Sequence, residues 1–179
     1  MLVYFLRHAS AGQGHANPAL DDKRPLDKEG IGQCRDVGRL LSTLDVHLDL
    51  IISSPLKRAT QTASLVGNRL GYDSDLVLDA ALSPSARYED FRELLRRHSK
   101  LAAVMVVGHN PSISRFLSLL ITNGAFDQAV EMKKGSVARV DHDRRQPVLN
   151  WLLNPKIARS VHAHSDSKAA SSRPKTARK

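Results

Sequence analysis

The chain has 179 residues, 41% of them hydrophobic, which suits one domain with a sizeable core plus an appendage. Its single cysteine, Cys34, excludes an internal disulfide and any cysteine-built metal cluster. No apolar run approaches the roughly 18–20 residues a membrane-spanning helix requires, and no leader-like segment precedes the first apolar run, so a soluble cytoplasmic protein is expected.

The net charge of +9 would suit a nucleic-acid partner, but it is unevenly placed. In residues 155–179, Lys156, Arg159, Lys168, Arg173, Lys175, Arg178 and Lys179 face Asp166 alone, a net +6 that leaves +3 for residues 1–154. The sequence therefore predicts a mildly basic domain over 1–154 and a basic, disordered tail over 155–179. Aromatic residues make up only 4%, so the core is expected to be mainly Leu, Val, Ile and Ala, with Cys34 as a small buried residue.

Leu2–Leu6 is a short apolar run, read as a strand buried on both faces and ending at Arg7-His8. A loop with no period, Ala11–Arg24, leads to Pro25-Leu26-Asp27. Asp27 suits the N-cap of a helix over Lys28–Leu44, with Ile31, Cys34, Val37, Leu40, Leu41 and Leu44 on one face. Gly30, Gly32 and Gly38 weaken that helix, so packing must stabilise it.

Leu48–Ser53 reads as a second strand, and Pro55 as the first turn of a helix running to about Leu70. A short strand over Asp75–Leu78, a loop over Asp79–Arg87 and a helix over Tyr88–His98 follow. Ala102–Val107 is another buried strand, broken by Gly108-His109-Asn110-Pro111. There Asn110 is expected to cap, and Pro111 to begin, a helix to about Ile121. Gly135–Asp141 and Val148–Leu153 alternate as two strands joined by a turn, an antiparallel edge, with Trp151 expected in the core. Strands alternating with helices predict an α/β fold, a three-layer α/β/α sandwich around a mostly parallel sheet.

Three turns of such a fold meet at the carboxyl edge of the sheet, where open α/β sheets bind ligands. They carry Arg7 with His8, Arg58, and His109. A phosphoryl group in transfer needs its oxygens held and its charge neutralised. Guanidiniums fork around such oxygens, helix N-termini supply N–H donors, and a neutral imidazole attacks phosphorus while a second donates a hydrogen bond.

These residues resemble the histidine phosphatase superfamily, the phosphoglycerate mutase-like fold. The match runs through Arg7-His8-Ala9, then Ser54-Pro55-Leu56-Lys57-Arg58-Ala59-Thr60-Gln61-Thr62-Ala63, then Gly108-His109-Asn110-Pro111, and covers about residues 1–154. Small size, Arg-His-Ala, the Arg24-Pro25-Leu26 turn, the closing Asn150-Trp151 strand and the lack of a cap insertion make the chain similar to the SixA-type phosphohistidine phosphatases. The resemblance implies that His8 is the nucleophile, that Arg7 and Arg58 bind phosphoryl oxygens, that His109 stabilises the transition state, and that Arg24 contacts phosphate or substrate. It implies no cofactor and no metal. The spacing of His15, His47, His98 and His142 suggests no metal site, and His162-Ala163-His164 is read as part of the tail.

Many superfamily members place a glutamate in the loop after the third strand, where this chain reads Asp79-Ala80-Ala81-Leu82-Ser83-Pro84. Asp79, Asp21 and Asp22 are the other carboxylates considered for a general acid. An alkoxide leaving from a phosphate ester needs a proton, whereas a protonated phosphoimidazole departs as a neutral ring. The expected activity is therefore hydrolysis of protein phosphohistidine through a covalent intermediate on His8, the partner being the phosphorylated protein. The alternatives are a small-molecule phosphomonoesterase of the same mechanism, and a non-catalytic binding module whose basic tail contacts nucleic acid or an anionic surface.

Overall fold

The computed structural model describes residues 1–161, and the expectations for residues 162–179, including the His162 and His164 pair, lie outside the described residues. Six strands form one mixed sheet: β1 (Leu2–Arg7), β2 (Leu50–Ser53), β3 (Val77–Leu78), β4 (Ala103–Gly108), β5 (Val137–Asp141) and β6 (Val148–Leu153), in the spatial order β3-β2-β4-β1-β5-β6. The first four pair in parallel. β5 runs antiparallel to β1 and β6 antiparallel to β5, giving the expected antiparallel edge. The helices are α1 (Pro18–Asp22), α2 (Lys28–Thr43), α3 (Lys57–Arg69), α4 (Tyr88–Arg97) and α5 (Ser112–Ile121). No helix among the described residues is long and apolar enough to cross a membrane.

Alternation along the central strands builds two cores. Tyr4 and Leu6 of β1, with Met105 and Val107 of β4, face α2 and α3, where Cys34, Val37, Leu41, Ala59, Ala63 and Val66 are buried. Val3 and Phe5, with Val104 and Val106, face α4 and α5. The result is the α/β/α sandwich that the strand–helix alternation predicted. The few aromatics are concentrated rather than spread. Phe91 lies 5.5 Å from Phe5 and 4.9 Å from Phe116, ring centre to ring centre, so three of the four phenylalanines make one cluster in the second core. Trp151 packs 6.0 Å from Tyr4 on the first.

Connections leave β1 over one face of the sheet, through α2, and leave β4 over the other, through α5. These two strands are neighbours. Their carboxyl ends therefore form the switch point of the sheet, the place where open α/β folds bind ligands.

Several local expectations shift. Ala11–Arg24 is not wholly irregular, because the Asn17 side chain accepts from the Ala19 N–H and starts the short helix α1. Ile31 points outward and is 52% exposed. The inward place in that turn belongs to Gly30, whose Cα packs against the backbone of Ser10. Leu44 is likewise exposed, because the helix ends before it. α3 begins at Lys57, two residues after Pro55, and α5 at Ser112, with Pro111 as the capping residue in place of Asn110.

The boundary at 155 also moves. Residues 155–161 are helical, Pro155 and Ala158 are buried, and Arg159 Nε donates to Asp36 Oδ2 of α2 at 2.9 Å. Pro155 seats against Gly135, where a glycine is needed because φ is +70° and a Cβ would lie 2.8 Å from the proline ring. The first turns of the basic segment are thus part of the domain's packed surface.

Candidate active site

β1 delivers Arg7 and His8 to the switch point in one step. Backbone bonds fix them there: the His8 N–H donates to Gly108 O at 2.9 Å, and the Arg7 N–H to Ser136 O at 3.0 Å. Next along the chain, the Ala9 N–H donates to Thr62 Oγ1 at 3.1 Å, and the Ser10 N–H to Gln33 Oε1 at 2.9 Å. Thr62 in turn donates to Arg58 O at 2.7 Å. The buried Thr62 hydroxyl therefore ties the segment carrying His8 to the helix turn carrying Arg58.

Asp27 secures the same loop from below. Its Oδ1 caps α2 through the Gly30 N–H at 2.7 Å, and its Oδ2 accepts from Ser10 Oγ and the Gly12 N–H. Gln61 Oε1 accepts from the Leu26 N–H at 2.8 Å and fixes the Arg24-Pro25-Leu26 turn.

The two imidazoles meet with ring centres 4.8 Å apart. His8 Nδ1 lies 2.8 Å from Ala9 O, a geometry that selects the Nδ1–H tautomer and leaves a lone pair on Nε2. His109 Nε2 lies 2.8 Å from Ser54 Oγ. When the Ser54 hydroxyl donates to Nε2, His109 Nδ1 carries the N–H, and that buried nitrogen has no protein partner. Burial pushes the His8 pKa down to about 4, with help from the charges of Arg58, Arg7 and Arg24. Burial pushes His109 down further, to about 2, again with the neighbouring His8, Arg58 and Arg7 against protonation. Both rings are neutral at physiological pH, and His8 offers a lone pair at Nε2.

Arg58 is only 5% exposed. Its Nη1 donates to Asp21 O at 2.9 Å and lies 3.1 Å from Asp21 Oδ2, while its buried Nε has no protein partner. Arg7 Nη1 donates to Met132 O at 2.7 Å, and Arg7 Nε is likewise buried and unpartnered. Arg24 donates from Nε to Asp21 Oδ1 at 2.8 Å and from Nη1 to Ala11 O at 2.5 Å. Four unpartnered or lone-pair nitrogens, on Arg7, His8, Arg58 and His109, thus collect at one strand edge. A tetrahedral oxyanion satisfies donors of this kind, with guanidiniums and an imidazole N–H on its oxygens.

The structure brings Arg7, His8, Arg58 and His109 together and joins Arg24 to them through Asp21. The carboxylates weighed as general acids fall out differently. Asp79 Oδ1 accepts from the Ala81 N–H at 2.8 Å and its Oδ2 from Arg97 at 2.7 Å. It is a turn residue. Hydrogen bonds from Arg24 and the His15 N–H hold the Asp21 carboxyl down at about 2, so it is ionised and holds no proton to give. Asp22 is exposed. Ser83 ends the 3₁₀ turn Ala80–Leu82.

Sequence reading missed two contributors. Ser54 was legible only as the start of a helix, and Asn110 only as a cap. Asn110 instead bridges, donating from Nδ2 to Met132 O at 3.1 Å while its Oδ1 accepts from Ser114 Oγ at 2.7 Å. That bridge supports the carbonyl which holds Arg7. The Gly-His-Asn-Pro spelling carries no signal for a partner 22 residues away.

The family model for the histidine phosphatase superfamily (branch 1) matches residues 3–84, the span that holds Arg7, His8, Arg24 and Arg58. An uncharacterized protein of Picosynechococcus is 31% identical over 140 residues, 76% of this chain and 82% of its own length. The chain belongs to the histidine phosphatase superfamily. Within the superfamily it is similar to the phosphohistidine phosphatase SixA of Escherichia coli, at 25% identity over 167 residues, 90% of this chain and all of that protein. The structure of a protein histidine phosphatase SixA complexed with tungstate superimposes with a TM-score of 0.76 at 24% identity, covering 87% of this chain and 98% of that one. Solved structures of the same fold also include an alpha-ribazole phosphatase and a phosphoserine phosphatase mutant.

Proposed function

We propose that this protein hydrolyses phosphohistidine on a partner protein, in two steps through His8. In the first, the Nε2 lone pair of His8 attacks phosphorus and the P–N bond to the substrate ring breaks. The bond pair goes to the leaving nitrogen. With a proton already on its far nitrogen, the substrate ring departs as neutral imidazole. In the second, a water oxygen attacks phosphorus, the P–N bond to His8 breaks, and the water gives its proton to solvent. Inorganic phosphate leaves and His8 regains its lone pair.

Arg7 and Arg58 take the phosphoryl oxygens through their free nitrogens, and His109 donates its Nδ1–H to the charge that builds in the transition state. Arg24 contributes charge at the rim and holds Asp21. One observation carries the choice of substrate: two carboxylates of the site loops, Asp21 and Asp79, are committed to arginines, and Asp21 is held ionised. Neither carboxylate is poised to protonate an alkoxide, an arrangement that suits a leaving group bringing its own proton.

Purified protein offered a phosphohistidine-bearing protein, a phosphoserine protein and small phosphate esters is expected to release phosphate fastest from the first. Preference for a small ester would assign the site instead to small-molecule phosphomonoesterase chemistry, the activity named for some proteins of this fold. Loss of phosphate release on His8→Ala separates either enzyme from a mere binding module.

A further inference from the structure

We propose that Asp21 sets the charge of the phosphate site, offsetting one positive charge of its arginine cluster so that it admits a phosphoryl dianion yet releases inorganic phosphate. The inference rests on the phosphatase reading above. Three guanidiniums bear on the site, those of Arg7, Arg24 and Arg58, and both imidazoles are neutral. Asp21 is the carboxylate in contact with two of the three, at 2.8 Å from Arg24 and 3.1 Å from Arg58. Without the Asp21 carboxylate the same arginines would grip a phosphate ion more tightly and slow its departure.

The placement of Asp21 is built rather than incidental. Asn17 caps α1, the Asp21 N–H donates to Asn17 O at 3.0 Å, and the His15 N–H donates to Asp21 Oδ1 at 2.9 Å. The residue reaches Arg58 twice, by its main-chain carbonyl and by its carboxylate, and both contacts fall on Nη1. The Nε side of Arg58 stays free for a ligand oxygen. Asp21 is therefore a positioning residue that acts through Arg58 and Arg24. Being ionised across the working pH range, it contributes a permanent charge and no proton.

Asp21→Asn separates charge from geometry, because the main-chain carbonyl still meets Arg58 and the amide oxygen still accepts from Arg24 and the His15 N–H. Binding of inorganic phosphate to the full chain, followed by calorimetry at fixed ionic strength and pH 7.5, is expected to tighten about tenfold in this variant. In turnover, kcat falls and inhibition by phosphate strengthens. Asp21→Glu, which keeps the charge, is expected to hold wild-type affinity. Asp73→Asn, the same charge change at an exposed site beyond the amino end of β3, leaves affinity unchanged.

Unchanged or weaker phosphate binding by Asp21→Asn, beside normal binding by the wild type, overturns this inference alone. Tightening by Asp21→Glu to the level of the asparagine variant does the same, since geometry and not charge would then be at work. Failure of the wild type to bind phosphate at all overturns the phosphatase reading with it.

Discussion

Burial beside three guanidiniums keeps the His8 ring unprotonated down to about pH 4, so the nucleophile is ready across the neutral range without a separate base. The acid limb of kcat/KM is therefore expected near 4 rather than near the ordinary histidine value of about 6.5. Stability follows the same group. Between those values the unfolded chain binds a proton that folded His8 refuses, so stability rises with pH from about 4 to about 6.5 and falls as pH drops through that window. His109, held at about 2, acts with the same sign. Urea midpoints measured at pH 7 and pH 4.5 should differ in that direction, and His8→Ala should shrink the difference. An acid limb near 6.5 would contradict the buried, neutral ring.

The four central residues were legible because each is a polar side chain where an apolar strand stops or a helix starts. Asp21 was legible only as a loop acid. Its contact with Arg58 spans 37 residues, and nothing in local pattern encodes which of two neighbouring aspartates turns inward.

At the scale of elements, the glycines of α2 read in sequence as weaknesses, and one of them is a requirement. A Cβ on Gly30 would lie 2.0 Å from Ser10 O, so the helix could not approach the loop that follows His8. Gly30→Ala is expected to cost about 2–3 kcal/mol of stability and to lower kcat by displacing Ser10. Gly32 has open space beside it, so Gly32→Ala is expected to gain roughly 0.5–1 kcal/mol with activity intact. Urea denaturation of the pair checks both, and equal effects would contradict the packing. Periodicity could not tell the two glycines apart, because what distinguishes them lies on another segment. The same limit explains Ile31, whose position suits the apolar stripe but whose turn is filled by backbone contact at Gly30.

For the whole molecule, strand alternation and the order of helices sufficed to predict the layers and the antiparallel edge, since buried parallel strands leave few other solutions. The far end of the domain was less legible. Composition alone assigned residues 155–161 to the tail, yet burial of Pro155 and Ala158 and the Arg159–Asp36 pair bring them onto α2. Two small apolar contacts do not make a stripe, so hydrophobic pattern missed them. Topology then gives the site its position: connections diverging from β1 and β4 open the sheet where Arg7, His8 and His109 stand.

The mechanism turns on a phosphoryl group carried on His8. Rapid-quench mixing with a phosphohistidine protein labelled in its phosphoryl group, followed by peptide mapping, tests it directly. Label is expected on the peptide holding His8, acid-labile and stable to base, and none on the His8→Ala protein. Label at another residue, or continued hydrolysis by His8→Ala, would contradict it.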